Sequence, residues 1–69
     1  MTGIEQVIAR AGSASAVARK LKVSHQVVTR WRQRGFVPAN RAIELEVAYQ
    51  VPARELVDPA LAHIATLIS

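Results

Sequence analysis

Glycine and proline divide this chain into pieces that suit helices and little else. Gly12, Gly35, Pro38, Pro52 and Pro59 punctuate it. Between these marks, apolar residues recur at three- and four-residue spacing, the period of an amphipathic helix rather than the alternation of a strand. Ile4, Val7, Ile8 and Ala11 form the first such face. Thr2 and Glu5 are placed to form a capping box ahead of it, and Gly12 supplies the left-handed residue that ends it, predicting a helix over 3–11. Arg10 points away from this stripe, where a phosphate contact is expected.

Ser13 or Ser15 caps a second helix, whose inner face is Val17, Ala18 and Leu21. Val23 is an apolar plug in the turn that follows, and Ser24 caps a third helix over 24–34. Val27, Val28 and Trp31 share one side of that helix. Gln26, Thr29, Arg30 and Gln33 share the other, with His25 at its N-terminal edge and Arg32 and Arg34 flanking it. Pro38 suits the first turn of a helix running to Tyr49. This fourth helix has two apolar stripes. One is Ala39, Ile43 and Val47; the other is Ala42, Leu45 and Tyr49. A helix apolar on two sides is expected to be sandwiched. Residues 53–56 allow one short turn. Asp58-Pro59 then opens a last helix over 59–68, against a strand as the competing reading of residues 64–68.

The expected fold is therefore all-α: one compact five-helix domain spanning residues 1–69, with a helical C-terminal segment over 52–69. At 69 residues the chain makes one domain at most. Domains this small have stabilities of only about 3–5 kcal/mol. There is no cysteine to staple it. With His25 and His63 far apart in sequence, no metal or other cofactor is expected. No apolar run approaches the ~20 residues of a membrane span. No basic leader opens the chain, so a soluble intracellular protein is expected.

Charge divides the chain unevenly. From Gln6 to Ile43 there is no acidic residue, while Arg10, Arg19, Lys20, Lys22, Arg30, Arg32, Arg34 and Arg41 all fall in that span. From Glu44 onward there are four acids and one base, Arg54. Such asymmetry points to an anionic partner for the first part only. The outer face of the third helix agrees. A generic solvated helix mixes Glu with Lys, whereas this one offers Gln, Thr, Arg and His, side chains that hydrogen-bond base edges. Paired carboxylates, a Gly-rich phosphate loop and a Ser/His/Asp set are all absent from the sequence, so an enzyme is not expected. A membrane-surface role conflicts with the use of Val27, Val28 and Trp31 as core.

Residues 14–33 resemble the helix-turn-helix pattern of phage repressors and Cro proteins. Ala18 stands at the motif's small position, and Val17, Leu21, Val23, Val28 and Trp31 stand at its apolar ones. Lys22 occupies the turn position that usually holds Gly, a departure costing roughly 1 kcal/mol. The wider string, with SAVARKLKV, RWRQRG, VPANRAIELE and PARELVDP, resembles the small Cro-like and YdaS-like regulators of phages and prophages. Cro-like proteins end in either strands or helices; by its own residues this chain is of the helical kind.

The resemblance implies a lambda-repressor/Cro-like fold, with the helix-turn-helix at 14–34, acting as a cytoplasmic repressor that binds double-stranded operator DNA. The motif positions that would read bases are His25, Gln26, Thr29 and Arg30. Ser24, Arg19, Lys20, Lys22, Arg32, Arg34, Asn40 and Arg41 are candidates for phosphate. A single domain contacts few base pairs, so a homodimer on half-sites is expected. Leu45, Tyr49, Leu61, Ile64, Leu67 and Ile68 are the candidate dimer surface. No small-molecule ligand is implied. The alternative is an antitoxin-like protein-interaction module in a prophage locus.

Overall fold

A computed structural model describes residues 2–60. Four α-helices follow one another: α1 Gly3–Ala11, α2 Ala14–Leu21, α3 His25–Arg34 and α4 Ala39–Tyr49. A 3-10 turn, Ala53–Glu55, comes next. The described residues contain no strand. The fifth expected helix, over 59–68, falls almost wholly outside them. Its start is described: Pro59 and Ala60 are helical, and Asp58 Oδ1 accepts the amide of Ala60 at 2.9 Å.

Local chemistry sets the helix boundaries. Thr2 Oγ1 accepts from the Glu5 amide at 3.2 Å, and Glu5 Oε1 accepts from the Thr2 amide at 3.0 Å, completing the capping box. The Thr2 amide foremost, then the Thr2 hydroxyl at 3.0 Å, both donate to the Glu5 carboxylate and, with the Arg32 guanidinium, hold that carboxyl below its ordinary range. Gly12 and Gly35 end α1 and α3 in left-handed conformation, with φ of 101° and 88°. Ser13, not Ser15, caps α2, accepting from Ala16. Lys22 ends α2 at φ 58°, the strained turn that its position in the motif implied. Pro38 sits one place earlier than expected. It is the N-cap of α4, where its carbonyl accepts from Arg41 and Ala42.

The core draws on every element. Ile4, Val7, Val17, Val28, Leu45 and Leu56 are fully buried, with Ala18, Leu21 and Trp31 nearly so. Ala18 lies where α2 meets α3, and its small side chain lets the two helices approach. The connectors also contribute: Val37, Val51 and Leu56 are buried although none belongs to a long periodic run. Val37 donates its amide to the Leu56 carbonyl at 2.7 Å, which ties the α3–α4 connector to the 3-10 turn. That turn presses on α1. A Cβ on Gly3 would collide with the Glu55 carbonyl and crowd Leu56, so glycine is required there for close approach rather than for its backbone angles.

α4 resolves its two stripes in one direction. Ala42 and Leu45 are buried, while Ile43 and Val47 are 63% and 79% exposed. Leu45, expected at a dimer surface, is therefore corrected to the monomer core: it has no surface left to offer a second copy. Tyr49 is half-buried and packs against the same core. Leu61, Ile64, Leu67 and Ile68 lie outside the described residues. Arg10 is also reassigned. Its Nη1 donates to the carbonyls of Tyr49 at 2.7 Å and Gln50 at 3.1 Å, so its charge caps the C-terminus of α4 instead of standing free for phosphate.

Candidate nucleic-acid interface

α3 is held by Val28 and Trp31, which are 0% and 5% exposed against α2 and α1. Ser24 fixes where the helix begins, its Oγ accepting from the Val27 amide at 3.3 Å. With the inner face anchored, the 3.6-residue period turns His25, Gln26, Thr29, Arg30 and Gln33 outward together. The structure brings all five into one shallow concavity. The four residues expected to read bases are thus adjacent, and Gln33 joins them. Helical period alone places Gln33 on this face.

Within the concavity the hydrogen-bonding groups differ in what they have free. The Thr29 hydroxyl donates to the His25 carbonyl one turn back, at 3.1 Å. Its proton is committed to the helix, and its methyl and oxygen lone pairs remain. Gln26 and Arg30 are exposed, and both are side-chain types able to pair bidentately with a purine edge.

The helix ends add an electrostatic component. The first turns of α2, α3 and α4 contain no acidic residue, whereas that of α1 holds Glu5. Uncompensated helix N-termini present backbone amides and positive dipole ends to anions. Arg19, Lys22, Arg32, Arg34 and Asn40 are exposed. Ser24 Oγ, though used as a cap acceptor, keeps its own proton to donate.

Two of the candidate phosphate contacts have defined neighbours of their own. Arg41 pairs with Glu44 at 3.2 Å, across one turn of α4. Lys20 lines a groove with Leu21, Ile43, Glu44, Val47 and Ala48, separate from the concavity on α3. Among the described residues no cluster of His, Cys, Asp or Glu has the makings of a metal site. No helix among them is long and apolar enough to cross a membrane.

Comparison with known proteins agrees with this geometry. Residues 4–57 match the family described as bacterial toxin YdaS. Among solved structures, the chain is similar to the Cro protein from putative prophage element Xfaso 1 in Xylella fastidiosa strain Ann-1. The two are 41% identical, with a TM-score of 0.76, over 81% of this chain and 89% of that one. The comparison with curated proteins returned no match. The buried α2–α3 pair, the left-handed turn at Lys22 and the match over residues 4–57 converge: the chain belongs to the YdaS family and is a Cro-like prophage regulator.

Proposed function

We propose that the protein is a sequence-specific transcriptional regulator that lays α3 in the major groove of an operator and binds it as a homodimer on a palindromic site. The observation that carries this reading is the single exposed, acid-free surface formed by His25, Gln26, Thr29, Arg30 and Gln33. Gln26 pairs with adenine N6 and N7, Arg30 with guanine O6 and N7, and the Thr29 methyl packs on a thymine methyl. His25 donates to or accepts from a base edge or a phosphate. Ser24, Arg19, Lys22, Arg32, Arg34, Asn40 and Arg41 contact phosphate and set register without reading sequence. Arg41 leaves Glu44 to do so, a small loss for a surface ion pair. Similarity to a prophage Cro protein supports this reading.

Selection of bound sites from random duplex DNA tests it directly. A palindromic consensus with half-sites about one helical turn apart is expected. Recovery of no consensus refutes sequence reading.

The name of the matching family favours a second reading, in which the protein acts in a toxin or antitoxin role through another protein and DNA binding is secondary. Under that reading, substitutions on the outer face of α3 leave the biological effect of expression unchanged.

A further inference from the structure

α4 has an outer face that neither folding nor DNA reading uses. Ile43 and Val47 are the exposed large hydrophobic residues among those described, at 63% and 79%. They line a groove between α4 and the end of α2. The α2 side contributes Lys20 and Leu21, and the α4 side contributes Ile43, Glu44, Val47 and Ala48. The groove thus has an apolar floor with a cation on one side and an anion on the other. A two-fold axis running along the groove reverses the order of the sides, so two grooves packed about such an axis set Lys20 of each copy against Glu44 of the other. This is the self-complementarity that an isologous contact demands.

We infer that this groove is the homodimer contact: the occupant of the Ile43/Val47 face is the same face of a second copy. The inference deepens the proposed function and rests on it for the half-site arrangement. It also gives Lys20 a role apart from the phosphate-contacting residues. Two large apolar side chains per copy fall well short of the ~800 Å² that each partner contributes to a stable interface. Association is therefore weak in free solution and is completed on DNA.

The symmetry supplies a decisive experiment, read by analytical ultracentrifugation without DNA at concentrations up to the order of 1 mM. Lys20→Glu alone sets two acids against each other twice per dimer, and Glu44→Lys alone sets two bases against each other twice. Each is expected to weaken self-association at least about tenfold. An equimolar mixture of the two variants forms a heterodimer in which both cross-contacts are again opposite in sign, and association is expected to return. If the mixture associates no better than its components, or the unaltered protein does not associate at all, the contact is overturned in favour of another partner or another segment of the chain on this face.

Val47→Glu, on a residue that is mostly exposed, should abolish association without changing thermal unfolding or affinity for an isolated half-site. Association that survives Val47→Glu also overturns the proposal. Half-site binding is measured separately, so a failure of DNA reading is distinguishable from a failure of this contact.

Discussion

The outer faces of α3 and α4 are both surfaces left over once the core is built, yet they differ in kind. On α3 the exposed side is polar, free of acid and rich in donors and acceptors, and the Thr29 hydroxyl proton is committed to the helix itself. On α4 the exposed side is apolar, with charges of both signs beside it, two of them already paired. A face that meets a polyanion gains from like positive charges and unspent hydrogen bonds. A face that meets its own copy needs apolar contact and balanced charge. Helices of similar length thus suit different partners by what they place opposite the core.

The sharpest way to break this comparison lies within α4. Leu45→Ala removes a fully buried side chain and should cost about 2–5 kcal/mol. In a domain worth about 3–5 kcal/mol this removes most of the stability and lowers the melting temperature steeply. Val47→Ala, two residues on, should stay within about 0.5 kcal/mol. Circular dichroism melting of the two variants side by side checks both. Equal losses would mean that α4 is buried on two sides and that no face is left for a partner.

Next comes α3. Arg30→Ala should cost about 1–3 kcal/mol in operator affinity and relax base preference at one position per half-site, with the melting temperature unchanged. Equal losses on specific and random duplexes would move Arg30 to the phosphate-contacting residues.

Lys22→Gly separates folding from binding at one residue. Relief of the left-handed turn at φ 58° should stabilise the fold by up to about 1 kcal/mol. Loss of the charge should weaken DNA binding and lower the slope of log affinity against log salt by about 1. A more stable variant with an unchanged slope would confine Lys22 to the turn.

The smallest effect concerns pH. The Glu5 carboxyl titrates below the 4.5 of an ordinary glutamate. Its contribution is therefore fully present above that pH and lost as pH falls through the lowered folded value. Glu5→Gln should flatten this acid limb of the stability curve while leaving DNA binding at neutral pH intact.

Helix ends were readable from sequence because a cap is a contact between residues three apart. Thr2 with Glu5, Ser24 with the Val27 amide and glycine at positions 12 and 35 form whatever the rest of the chain does. The outer face of α3 was readable for a related reason: once Val28 and Trp31 face inward, helical period places the others. The orientation of α4 was not, since its two stripes are similarly apolar and only packing against α1 and the 3-10 turn chooses between them. Val37, Val51 and Leu56 lie in segments too short to show a period, so their burial left no local signal. Arg10 reaches across 39 and 40 residues to its carbonyl partners, a distance at which sequence spacing says nothing. The separation of Lys20 from the reading surface likewise depends on how α2 meets α4.

The bond from the Thr29 hydroxyl to the His25 carbonyl has a consequence for the thermodynamics of recognition. A flexible side chain that is ordered only at an interface gives up about 0.5–1.5 kcal/mol of rotamer freedom on binding. Gln26 and Arg30 incur that loss when DNA arrives. Thr29 has already settled its rotamer in the free protein, because its hydroxyl is tied one turn back. Its contact with a thymine methyl is therefore preorganised. A weak, purely apolar contact can then still discriminate, since almost none of it is spent on ordering the side chain that makes it.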